Sequence, residues 1–326
     1  MPDSAAVTNG KSRAGFVLKI FITGALLWLI LAKVEYRETV RIIMQLDRSG
    51  LWVAVLLAIA AVVLSAYKWR IILAARGWNL SLAALTKVYF TGLFFNNFLP
   101  SSIGGDLMRI YLIGKKIGSS SEAAASVILE RVLATVGLAI PVLLAVIPNR
   151  RLLGSFQSVL VYFFIFCLAL VILVIRPSVA HPMTQISWSW WQKCLDKLRA
   201  INKVIQSYGQ RKGAVVRVIG YSVLFQFSIV LINYFLMLAM GINHITLWQC
   251  TFIIPLISAV SMVPVSINGL GIREGAYVLL FTPLGLSTTQ AVTLSLIFFI
   301  IVTAISLLGG ISFVMQKEKN SDIITG

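Results

Sequence analysis

The chain is short of the residues on which most metal, redox and hydrolytic chemistry depends. Cys167, Cys194 and Cys250 are too few and too scattered for a disulfide framework or a zinc site, and His181 and His244 are too isolated for a metal or a proton relay. Acidic residues are scarce as well, 11 against 28 Lys and Arg in 326 residues. The sequence has no H-E-x-x-H, no glycine-rich loop followed by Lys and Ser or Thr, no nucleophile elbow, and no paired carboxylates of the kind that hold magnesium. No catalytic residue, metal or cofactor is therefore expected, and no ATP-hydrolysing unit.

What the chain does contain is hydrocarbon. Hydrophobic residues make up 59%, charged residues only 12%, and mean hydropathy is +0.91. A soluble protein could not carry that composition without an aggregating surface, so the chain reads as an integral membrane protein. The formal charge of +17 then belongs to cytoplasmic loops and anionic lipid head groups rather than to nucleic acid.

A bilayer core takes about 20 apolar residues per helix. Six stretches qualify as spans: Phe16 to Ala32, Leu51 to Tyr67, Ala123 to Ile147, Phe156 to Ile175, Val218 to Met240 and Thr289 to Met315. Lys11 and Arg13 before the first resemble a signal sequence, but no clean cleavage site follows, so that span is expected to be retained. Two further apolar stretches, Ser81 to Leu99 and Gln249 to Val263, each run into a proline and a glycine-containing polar break.

Aligned on Pro100 and Pro264, the two breaks share P-x-S-I-x-G-x-x-x-R, ending at Arg109 and Arg273. Five identities at fixed spacing, each between an apolar arm and a full span, indicate an internal repeat. Paired interrupted segments in two halves are the pattern of a transporter site at a repeat interface. The fold expected is all-α: six full transmembrane helices plus two re-entrant hairpins as inverted-topology repeats, with eight ordinary spans as the alternative. One membrane domain covers 1–326, with repeats at 51–147 and 218–315 and a basic amphipathic segment at 176–217. Charge favours cytoplasmic termini, with Lys68, Arg70, Arg76, Arg109, Lys115 and Lys116 inside and Arg37, Arg41, Arg48 and Arg273 outside. The helix from Ile186 to Tyr208, with Trp191 and Leu195 on one face, suits an anionic surface.

Ionisable residues at membrane depth carry the functional signal, because an arginine there costs about 2.5–3.5 kcal/mol even on lenient scales. Arg109 and Arg273 open the second arms of the hairpins, just beyond the glycines. The arm's first N–H groups and dipole, with an arginine one turn on, describe a phosphate receptor. Gly104, Gly105, Asn97 and Ser102 join Arg109 in it; Gly269 and Asn268 join Arg273. Asp106, three residues before Arg109, is expected to cap the arm. Glu130 and Arg131 are placed in the substrate-binding set as well; they lie in an apolar span and point about 100° apart, so Glu130 is expected to neutralise Arg109 until an anion competes. Snorkelling to water is the competing account of both arginines.

Phe98 through Asp106 with Arg109, the Glu130-Arg131 pair, and Pro264 through Gly271 with Arg273-Glu274 together resemble the lysylphosphatidylglycerol synthase transmembrane family, also called flippase-like, across roughly Phe16 to Met315. The resemblance implies a multi-pass protein of the bacterial inner membrane that moves a lipid with a charged head group between leaflets. Its two-part members carry a cytoplasmic domain that makes aminoacylated phosphatidylglycerol. This chain has no such domain, so synthesis is not expected and the lipid, phospholipid or polyprenyl-linked, stays open. A separate cytoplasmic lipid-modifying enzyme is a candidate partner. Chemistry on a polyprenyl-phosphate or phospholipid head group, with Asp106 and Glu130 as acid and base, is the alternative.

Overall fold

The computed structural model describes residues 21–98, 104–146, 158, 160–165, 167–168, 204–205, 207–208, 211–262 and 266–321. Ser102 and both prolines of the shared motif lie outside them, as do Lys11, Arg13, His181, Cys194, Trp191, and most of the span at 156–175 and of the segment at 176–217.

Every regular element among the described residues is a helix. They are α1 (Phe21–Leu31), α2 (Tyr36–Met44), α3 (Arg48–Ala75), α4 (Leu82–Phe98), α5 (Gly104–Ile117), α6 (Ser120–Val146), α7 (Lys212–Ala239), α8 (Leu247–Ser261), α9 (Ile272–Phe281) and α10 (Thr288–Ser321). In a slab without water each backbone N–H must be satisfied within its own segment, which leaves helix as the economical choice. Helix starts are marked locally. Asp47 accepts from the Gly50 N–H at the head of α3, and Thr246 with Gln249 forms a capping box at α8.

Among the described residues, four helices are long and apolar enough to cross a membrane: α3, α6, α7 and residues 288–314 of α10. At 1.5 Å per residue α3 reaches about 42 Å, well beyond the apolar run from Leu51 to Tyr67. The extension corrects one expectation. Lys68, assigned to a cytoplasmic loop, is buried inside α3 with its ammonium 4.6 Å from the centre of the Phe225 ring. The broken stretches become pairs of shorter helices, α4 with α5 and α8 with α9, and each pair packs together.

The order long, short, short, long thus occurs twice. Packing repeats with it. α3 lies against α7; α4 lies against α10 as α8 lies against α6; α5 packs on α6 as α9 packs on α10. With lipid as apolar as leucine, close approach and van der Waals contact hold such helices together. Ala54, Ala58, Ala61 and Ala66 accordingly give α3 a small-residue face, and Gly50 meets Ala239 of α7 where an added Cβ would come within 3.0 Å.

Candidate functional site

The buried polar groups of the first half form one network. Arg109 of α5, 3% exposed, is paired with the buried Glu130 of α6 and donates to Asp106 at 3.3 Å. Its guanidinium lies 4.2 and 4.1 Å from the ring centres of Trp69 and Tyr89, which meet each other edge to face, and the Tyr89 hydroxyl donates to Glu130 at 3.0 Å. A charge pair removed from water is tolerated only when its remaining bonds are satisfied; here the aromatic faces and the tyrosine hydroxyl supply most of them, and only the Arg109 Nε lacks a partner.

Arg131, the next residue along α6, turns the other way. Its Nε and Nη2 both bond to Asp106, at 2.9 and 3.1 Å, and its side chain remains 47% exposed. The expected cap is thus a clamp: the described hydrogen bonds of Asp106 run to the guanidiniums of Arg131 and Arg109. One of the backbone N–H groups expected to receive an anion is engaged in each arm. The Gly105 N–H donates to Asn96 at 2.8 Å, and the Gly271 N–H donates to Glu274 at 2.6 Å. Gly104 is buried at the start of α5.

In the second half, Arg273 donates through Nη2 to Glu274 at 2.6 Å and through Nε to Ser295 at 3.1 Å, with its guanidinium 4.7 Å from the Phe299 ring centre. The two breaks touch, because the Asn268 amide donates to Asn97 at 3.0 Å across 171 residues of sequence. Asn268 sits at φ 51°, and Gly269 beside it at φ 73°. The Nδ2 of Asn97 is buried without a partner.

A cavity of about 470 Å³ opens between these breaks, with Asn96, Asp106, Arg131, Ser258, Asn268 and Arg273 as its polar lining and Ile229, Tyr277 and Phe298 among its apolar walls. A second, of about 220 Å³, shares Asn96, Asp106 and Arg131 and reaches Arg109 and Ser65. Arg131 lines both cavities. Of the three arginines expected at the site, the large chamber receives Arg131 and Arg273, each with its Nη1 free of described hydrogen bonds. Arg109 stands behind them, held by Glu130.

Residues 16–310 match the family described as the lysylphosphatidylglycerol synthase TM region. The chain belongs to that family. It is also 25% identical to a UPF0104 membrane protein of Pyrococcus horikoshii, over 93% of this chain and 97% of the relative. On the family's scaffold, the residues that reasoning from sequence passed over are Trp69, Tyr89, Asn96, Ser258 and Ser295. The aromatic pair had no signal in the sequence. The carboxylates had a partial one: Glu274 next to Arg273 is its partner, whereas Glu130 next to Arg131 pairs with Arg109 and leaves Arg131 to Asp106.

Proposed function

We propose that this protein moves a lipid with an anionic head group between leaflets, and that the head group is held in the chamber between the two breaks by the free Nη1 donors of Arg131 and Arg273. The observation that carries the reading is that pair of half-satisfied guanidiniums in a single cavity. Each already has a carboxylate, so the chamber carries no bare charge. A phosphate needs only to add bonds to Nη1 and compete with Asp106 for Arg131. Charge-assisted bonds of this kind are shorter and about twice as strong as neutral ones. The chamber volume is in the range of small-molecule sites and suits a head group, while acyl chains stay in the bilayer.

The two interrupted segments are read as re-entrant hairpins of opposite orientation, and rocking of one half against the other would expose the head group to each side in turn. Such a cycle runs down a gradient or is coupled to an ion, and requires no bond to be broken in the lipid.

The test is dithionite-accessible fluorescent phosphatidylglycerol in proteoliposomes. Arg131→Gln and Arg273→Gln are each expected to slow transbilayer movement about tenfold, equivalent to roughly 1.4 kcal/mol; Arg131→Gln should leave thermal unfolding unchanged, whereas Arg273→Gln, which takes the arginine from the buried Glu274, should lower it. Wild-type rates in both variants would refute the chamber as the head-group site.

A further inference from the structure

The packing pattern is unchanged when the two halves are exchanged, with one exception. Swapping α3 with α7, α4 with α8, α5 with α9 and α6 with α10 maps each well-packed pair onto another, and the lightly packed α3–α6 onto the equally light α7–α10. The exception is the pair α6–α7, which is extensively packed, while its counterpart α3–α10 is packed only lightly. The closed seam is backbone to backbone: a Cβ added at Gly137 of α6 would run into Ser222 of α7, with the Ser222 carbonyl carbon at 2.9 Å.

On the outer face of the open seam lies a groove of about 510 Å³ formed by α2, α3 and α10, every lining residue apolar. Its floor is Ile297, Ile301 and Ile305, each 6–7% exposed; its rims are Trp52, Ile300 and Leu308, each more than half exposed. From 297 to 308 the groove follows α10 for about 16 Å, close to half of a hydrocarbon core of about 30 Å. Its mouth is bounded by Ile43 and Leu46 at the end of α2, a helix with no buried residue that carries Arg37 and Arg41. That is one leaflet's depth below an amphipathic helix carrying Arg37, Glu38 and Arg41, a position suited to an interface. On the inner face of the same seam, Ala58, Ala61 and Val62 of α3 and Val302 of α10 line the smaller polar cavity with Arg109, Arg131 and Asp106. Groove and cavity residues are adjacent in sequence, Ile59 beside Ala58 and Ile301 beside Val302, so a single layer of side chains divides them.

We propose that the α3–α10 seam is a lateral portal, and that the groove outside it holds an acyl chain of the anionic phospholipid whose head group enters the chamber. The inference rests on the transport reading above. A groove with hydrocarbon on every wall offers nothing to a water-soluble partner. By the same exchange of halves, the α6–α7 seam is the portal of the opposite state, shut at Gly137 in this one.

The test uses phosphatidylglycerol carrying a diazirine in one acyl chain, photolysed in proteoliposomes with the full chain and mapped by peptide mass spectrometry. Adducts are expected to concentrate on residues 51–59 and 297–308 over the lipid-facing Leu143 and Leu144 of α6. Ala304→Trp, or Ile300→Trp on the rim should the first variant fold poorly, is expected to lower that labelling about fivefold and slow lipid movement. Adducts spread evenly over lipid-facing helices would overturn the proposal. So would a disulfide formed between two copies by an Ile300→Cys variant lacking the native cysteines in the same proteoliposomes. The two readings fail separately: groove labelling that persists while Arg131→Gln transports normally sinks only the head-group site, and absent labelling with a slowed Arg131→Gln sinks only the portal.

Discussion

A guanidinium in the membrane interior must be either enclosed with partners or left open to a cavity, and neighbouring residues of this chain show both solutions. Arg109 is enclosed. Removing Glu130 would strand its charge, so Glu130→Ala is expected to cost about 3–5 kcal/mol, measured by thermal unfolding in detergent. Replacing both partners with methionine should recover most of that loss, since an apolar pair of similar volume needs no desolvated charge; a double variant as unstable as the single would show that the ion pair itself is needed. Arg131 is open, and the same truncation there should spare stability and remove transport. The sequence exposed the ingredients of this division and hid its assignment. Adjacent helix positions point about 100° apart, which already said that Glu130 and Arg131 face different partners. Which arginine the chamber receives depends on Trp69 and Tyr89 closing over Arg109, a contact between three helices that no spacing encodes.

At the scale of the element, the two breaks were legible because proline, serine and glycine interrupt an apolar run at matched places. Helix lengths were less so. Lys68 ended the apolar run by composition, yet α3 continues past it, with the ammonium set against the Phe225 face. The arms pack closely at Gly105: an added Cβ there would overlap the Gly92 carbonyl oxygen and meet Asn96. Gly105→Val is therefore expected to destabilise by about 1–3 kcal/mol through overpacking, read as a lower unfolding temperature in detergent. Asn268 has a different constraint. Its positive φ suits Asn or Gly, and its amide ties the second break to Asn97 of the first. Asn268→Gly keeps the backbone and loses the bond, whereas Asn268→Val loses both. The valine variant should be the less stable of the two, and equal stability would remove backbone conformation from the account.

For the whole molecule, the threading decides which end of the bundle faces which compartment. α3 starts at Arg48 beside α2 and ends at Ala75, and Arg76 just beyond it pairs with Glu122 at the head of α6, close in sequence to the end of α5 at Ile117. Lys115 and Lys116 therefore share an end with Arg76, across the slab from α2. That end also holds Ser207, bonded to Arg76 at 3.1 Å, and with it the start of α7 with Arg211, Lys212 and Arg217. The α2 end has Lys33, Arg37, Arg41 and Arg48, fewer basic residues and interspersed with Glu35, Glu38 and Asp47. From the bias of Lys and Arg toward the cytoplasm, the Lys115 end is expected inside and α2 outside. In a background with the native cysteines replaced, Met44→Cys, at a position 81% exposed, should react with a membrane-impermeant maleimide in intact cells. Lys115→Cys should react only after permeabilisation. The reverse pattern would invert the orientation while keeping the threading. Reaction of both from one face would mean that α3 does not cross, and the exchange of halves on which transport depends would have no membrane to act across.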